Sequence, residues 1–198
     1  QKLEQEASYT FPTARLLRWD SDVTKGRYSH QEILSKFRAH YADILIGTQM
    51  IAKGLDLPLV TLVGIVNADV SLNLPDFRAG ERTFQLLSQV AGRAGRGSLG
   101  GKVIIQSYSP EHYAIQAAAK HDYASFYEKE IAYRSQLHQP PFTRLACLVY
   151  SHTNEAICQR EAERMKSLLT EAIDSRGIAD LGLIGPAPAF IYKLRGRF

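Results

Sequence analysis

The sequence predicts an α/β fold: a parallel sheet flanked by helices, then a helical spacer and the start of a smaller α/β domain. Three observations carry this. Short apolar runs at 43–47, 60–66 and 102–106 read as strands separated by helical patterns. The run at 60–66, VTLVGIV, is apolar without a break, as in a central parallel strand covered on both faces. After Ser109-Pro110 the alternation gives way to helix, which ends at the rigid Pro140-Pro141 break.

The elements follow in order. Residues 1–9 read as a helix and 14–17 as a short apolar strand. Residues 29–39 place Ile33, Leu34 and Phe37 at helical spacing, with Ser29 as the cap. A strand at 43–47 ends in glycine, and the strand at 60–66 follows it. A long helical pattern covers 78–96, and residues 102–106 (KVIIQ) return to strand. Two helices fill 110–138. Residues 145–150 (strand), 155–173 (amphipathic helix) and 180–184 (strand) then read as a β-α-β unit. The predicted boundaries are 1–108, 109–142 and 143–198, the last domain being truncated.

Composition sets limits. With 45% hydrophobic and 22% charged residues, a packed core is expected and wholesale disorder is not. A formal charge of +4 fits a polyanionic partner, but it equally fits a basic surface with no special partner. Cys147 and Cys158 match no zinc spacing, and two thiols cannot complete a four-ligand site, so no metal site is expected. Buried free thiols in a reducing cytoplasm are the expectation. The opening QKLEQEASY is not an apolar leader, and no apolar run approaches the roughly 20 residues that span a bilayer. A start without Met and an end at KLRGRF give the expectation of a fragment.

Two stretches carry the chemistry: residues 44–60 (ILIGTQMIAKGLDLPLV) and 89–97 (QVAGRAGRG). On one helix over 78–96, at about 100° per residue, Gln89, Arg93 and Arg96 lie within about 60° of one another. Gln85, Arg82 and Arg78 continue the same stripe, so Arg78 and Arg82 are expected on the face of Arg93. The opposite face collects Gly80, Phe84, Leu87, Ala91 and Ala94 and should dock on the sheet. Arginine presents a planar fork of donors that matches phosphate oxygens and stays charged. Gly92 and Gly95, costly inside a helix, imply a close approach to the backbone or the end of the helix. In the first stretch Gly47-Thr48 and Lys53-Gly54-Leu55-Asp56 place polar groups at the carboxyl edge of a parallel sheet, where ligands bind in open α/β folds. Singly, these features also fit a glycine-capped basic helix, a helix-capping Thr48 and a turn at Asp56. Their joint occurrence at this spacing favours a site.

GTQMIAKGLDLP resembles motif V, and QVAGRAGR motif VI, of superfamily-two helicases. The intervening NADVSLNLPDFRAGERTFQLL is similar to the replication-restart primosomal helicases of the PriA type, and so are KVIIQSYSPEHYAI, QPPFTRLACLVY and IGPAPAFIYKLRGRF. The resemblance implies the second RecA-like lobe of an ATP-dependent DNA helicase acting in replication restart. It implies that Arg96 is the arginine finger toward the γ-phosphate and Arg93 its companion, both catalytic. Gln89, Gly54 and Asp56 would also line the ATP site, while Thr48, Gln49 and Lys53 would touch DNA phosphates. Many relatives carry arginine where this chain has Val90, which the helix wheel turns toward the packing side.

No P-loop, G-x-x-x-x-G-K-S/T, is present; GRGSLGGKV fails in spacing and ends in Val103. No Asp-Glu pair of the metal-binding helicase type is present either. The resemblance therefore assigns ATP and Mg2+ mainly to a first lobe upstream, so this piece alone is not expected to hydrolyse ATP. It places the lobe's first strand just before Gln1, and zinc on cysteines that precede this region. It further implies branched or single-stranded DNA as a sequence-neutral partner, primosome proteins and single-strand binding protein as other partners, and a bacterial cytoplasmic location with no membrane. For Tyr123, Phe126, Tyr127, Tyr133, His138 and Phe142 the readings are stacking on bases or packing on a neighbouring domain. Two other functions stay open: another superfamily-two translocase, such as a fork-reversal motor, or a non-catalytic DNA-binding module with a motor-like fold.

Overall fold

A computed structural model describes residues 2–20, 27–48, 57, 59–92 and 100–198, apart from the side chains of 27–29. The elements run α1 (Lys2–Thr10), β1 (Leu16–Trp19), α2 (Arg27–Arg38), β2 (Ile44–Gly47), β3 (Leu62–Ile65), α3 (Asp69–Leu72), α4 (Ala79–Ala91), β4 (Lys102–Ile105), α5 (Tyr113–Ala119), α6 (Tyr123–Gln136) and α7 (Glu155–Arg176). The chain divides into two compact units, Gln1–His138 and Gln139–Phe198. Helices α5 and α6, expected as a connector, belong to the first unit.

The first unit is mixed α/β with short parallel sheets. Strand β1 pairs with β2, Leu17 opposite Leu45, and β3 pairs with β4, Val63 opposite Val103. Strand β1 lies two residues beyond the expected run because Leu17 and Trp19 share its inward face. Buried Trp19 packs with Ile33 and Leu57, flanked by Leu17, Leu34, Phe37, Leu45 and Val60. The Trp19 indole donates to His30 Nδ1 at 2.7 Å, which satisfies the polar edge of the buried ring. Helix α2 begins at Arg27, so Ser29 falls in its first turn and is not the cap.

Strand β3 is not covered on both faces. Val63 and Ile65 are half-buried, whereas Leu62 is 58% exposed and Gly64 is open to solvent. Lys102 and Ile104 of β4 are exposed on the same side. One face of this pair packs on helices, and no helix among the described residues covers the other.

A second core gathers Ala68, Phe84, Leu87, Ala114, Ile115, Ala117, Ala118 and Phe126, with Ile65 and Ile105 from the sheet against it. Alanines at 114, 117 and 118 let α5 approach α4 closely. Burial pushes the His112 imidazole below its ordinary value, and its Nδ1 accepts from the Ala114 N–H at 3.2 Å, capping α5. Helix α6 is capped by Asp122, which accepts from Ser125 N at 3.0 Å.

The second unit contains α7. Asn154 caps it by accepting from Ile157 N at 3.2 Å, and Gly177 closes it in the left-handed conformation, φ 61°. The strands expected at 145–150 and 180–184 are absent. Neither segment joins a ladder, and Leu145, Leu148, Val149 and Ile184 are exposed. An apolar segment becomes a strand only where a neighbour accepts its backbone hydrogen bonds. The backbone pairing in this unit does not extend into a ladder, and is seen where His152 and Phe198, distant in the chain, exchange both N–H···O bonds, at 3.2 and 2.9 Å. No residue of 139–198 is buried, so Cys147 is an exposed free thiol and Cys158 a half-buried one, not the buried pair expected. No helix of the described residues is long and apolar enough to cross a membrane.

Two outcomes are expected. The Arg15 side chain holds the exposed Asp43 carboxyl at 2.7 and 3.0 Å, and its backbone N–H adds a third bond, so Asp43 is lowered to about 2. The pair thus contributes above the ordinary carboxylate value of about 3.9 and is lost as pH falls through about 2. Carboxyl NMR titration should find that midpoint in the native chain and a return toward the ordinary value in Arg15→Met; a native midpoint near 4 would contradict the pairing. Separately, His121 follows α5 at φ 53°, a left-handed conformation costly for residues with a Cβ. His121→Gly should raise stability by about 0.5–1 kcal/mol in chemical denaturation.

Candidate nucleotide and nucleic-acid site

The site is built on α4. Its buried residues are Ala79, Thr83, Phe84, Leu87 and Ala91, while Arg82, Gln85 and Gln89 are exposed. Over Ala79–Ala91 the helix has the two faces expected of the wheel, and Val90 is half-buried; Arg93, Ala94 and Arg96 lie outside the described residues. The apolar face docks on α5 and α6 as well as the sheet, with the Phe84 and Phe126 rings stacked 4.2 Å apart at 9°. Burying side chains of this size contributes roughly 1.5–3 kcal/mol each. Helix α4 ends at Ala91 with Gly92 as its cap. A Cβ at Gly92 would meet the chain itself no closer than Ser88 O, at 3.4 Å, and the glycine stands at the end of the helix.

Of the predicted site residues, Thr48 and Gln89 are described. Thr48 is exposed just past β2, at the carboxyl edge of its sheet, and Gln89 is exposed in the last turn of α4. No hydrogen bond joins them to each other. Gln49, Lys53, Gly54, Asp56, Arg93 and Arg96 lie outside the described residues.

The stripe divides at Arg78 and Arg82. Arg78 is the N-cap residue of α4, and Arg82 lies in its first turn. Both grip Asp76: Arg78 Nε lies 3.2 Å from one carboxyl oxygen and Arg82 Nη1 2.7 Å from the other. The Arg78 side-chain hydrogen bonds and backbone N–H, with Arg82 beyond, hold the Asp76 carboxyl below its ordinary value. These two arginines thus brace the entry to α4.

Asp69, which sequence reasoning passed over, closes the carboxyl edge of the β3–β4 pair. It is 5% exposed and accepts from Ser107 Oγ at 2.9 Å and Tyr108 N at 3.0 Å. These bonds, led by the Tyr108 N–H, lower its pKa and tie the segment after β3 to the segment after β4. No local pattern signalled it, because its partners Ser107 and Tyr108 lie 38 and 39 residues away in the chain. Of the aromatic residues, Phe126 is buried in the core, whereas Tyr123, Tyr127 and Tyr133 are at least half exposed on α6.

The chain matches the family model of the helicase conserved C-terminal domain over residues 14–98. Over all 198 residues it is 45% identical to the replication restart protein PriA of Bacillus subtilis and 42% identical to that of Synechocystis sp., covering 24% and 23% of those proteins. It is 44% identical over its full length to the PriA protein of Chlamydia pneumoniae, covering 26% of it. The chain thus spans about a quarter of the length of these relatives.

Two residues of α4 separate packing from presentation. Leu87→Ala should cost about 2–5 kcal/mol, since the side chain is 1% exposed. Gln89→Ala should stay within about 0.5 kcal/mol of the parent. Denaturation of both variants checks this, and a large loss at Gln89 would make it a packing residue.

Proposed function

We propose that this chain, which belongs to the PriA family of replication restart proteins, supplies the second motor lobe of an ATP-driven DNA helicase. The whole protein would act at stalled or branched forks, where primosome proteins and single-strand binding protein are its partners. The observation that carries this reading is the amphipathic α4, docked by one face and presenting Gln89 on the other, directly before Gly92-Arg93-Ala94-Gly95-Arg96.

In this reading Arg93 and Arg96 face the phosphates of ATP held by another lobe. Their charge is permanent, and their donors match the equatorial oxygens on which charge spreads during phosphoryl transfer. Gln89 lines the same site from the helix end, with Gly54 and Asp56 nearby. Thr48, Gln49 and Lys53 touch the backbone of the tracked strand. Such contacts position without reading bases, so binding is indifferent to sequence and weakens with salt. Among the described residues no three His, Cys, Asp or Glu side chains gather as metal ligands. By the family resemblance, magnesium, which would neutralise phosphate charge, is assigned mainly to the first lobe and zinc to other parts of the full-length protein. The proposed location is the bacterial cytoplasm.

The test is Arg96→Ala in the full-length helicase. DNA-stimulated ATP hydrolysis should fall on the order of 10³-fold or more, as for other arginine fingers, with nucleotide binding retained. Turnover at the parent rate would refute the assignment of Arg96 as the arginine finger.

A further inference from the structure

We propose that the cluster of Tyr113, Glu130, Arg134 and Glu81 is a positioning device for α4, setting where Gln89 and the arginines after it meet the nucleotide; this rests on the motor reading above. Glu130 of α6 is 6% exposed, yet it carries a carboxylate. One of its oxygens accepts from the Tyr113 hydroxyl at 2.6 Å. The other accepts from Arg134, Nε at 2.8 Å and Nη2 at 2.7 Å. The same Nη2 reaches Glu81, in the first turn of α4, at 2.8 Å. One guanidinium therefore spans a carboxylate on α6 and a carboxylate on α4, while lying over the Phe77 ring, 5.2 Å from its centroid.

Two features here oppose stability. Buried ion pairs are commonly no better for stability than apolar residues of the same volume, because both charges must leave water. Gly80 sits inside α4, where glycine is destabilising relative to alanine. A Cβ at Gly80 would fall 2.8 Å from the Tyr113 hydroxyl and 2.9 Å from Glu130 Oε2, so a methyl group there requires both members of the cluster to shift. A buried, charge-assisted fork supplies direction, which apolar contact does not: it fixes both the distance and the angle between α4 and α6. Glu81 and Gln89 are eight residues apart on one helix, about 12 Å along its axis. A tilt at Glu81 thus becomes a displacement at Gln89 and at whatever follows it. Misplacement of about 1 Å in a catalytic constellation can cost on the order of 100-fold in rate.

The experiment uses the full-length helicase with Gly80→Ala, Arg134→Lys and Glu130→Gln. The readouts are kcat of DNA-stimulated ATP hydrolysis per nucleotide-binding site, KM for ATP, affinity for fluorescent ADP, and the thermal midpoint. Positioning predicts a fall in kcat of about tenfold or more, with KM and ADP affinity held within about twofold. A lower thermal midpoint with kcat per site within about twofold of the parent overturns the proposal and leaves the cluster purely structural. Should Gly80→Ala fail to fold, the nearly isosteric Glu130→Gln and the charge-conserving Arg134→Lys decide. Arg96→Ala in the same assay separates the two ideas. Parent-like turnover there removes the arginine-finger reading on which this inference rests, whereas its inactivity beside unaffected cluster variants removes this inference alone.

Discussion

The docking of α4 on α5 and α6 is the constraint from which the rest of the first unit follows. Phe84 and Leu87 can leave water only if α5 comes close, and the alanines at 114, 117 and 118 make that approach possible. Once Phe84 stacks on Phe126, the rotation of α4 about its axis is set, and the polar side of the helix is set with it. Arg82, Gln85 and Gln89 are exposed because Thr83, Phe84 and Leu87 are not. The function proposed for this chain thus depends on an apolar contact made on the far side of the helix.

Polar groups refine what packing begins. Asp76 draws in Arg78 and Arg82 at the start of α4, so two of the six polar positions on the stripe brace the fold. Asp69 joins the segments that follow β3 and β4. The Glu130 cluster links α4 to α6 through donors and acceptors of defined direction. Each device satisfies buried or half-buried charge locally, as low-polarity surroundings demand.

The second unit shows what happens when apolar residues lack partners. Helix α7 has a cap at each end, yet none of its residues is buried. Short-range signals, an asparagine before the helix and a glycine after it, are enough to bound a helix. They are not enough to make a core, which a unit of this size can form only where elements cover one another.

Much of the first unit was legible in the sequence because its signals are local. The helical pattern read over 78–96 separated the two faces of α4, which ends earlier, at Ala91, and apolar runs located β2, β3 and β4 near their observed limits. Of the residues that motif spacing singled out, Thr48 is exposed just past β2 and Gln89 is exposed in the last turn of α4, and the others lie outside the described residues. The shared exposure of β3, the two separate strand pairs and the missing strands at 145–150 and 180–184 were not legible, because strand pairing is settled by partners distant in the chain. Nor were Asp76 as the anchor of two arginines and the Glu130 cluster, which depend on how helices meet. The sequence by itself determined which stretches are helical or strand-like in the first unit and which face of α4 is apolar. Only the tertiary structure decided which charges turn inward to hold the fold and which remain outward, since that choice depends on distances between elements that no local pattern encodes.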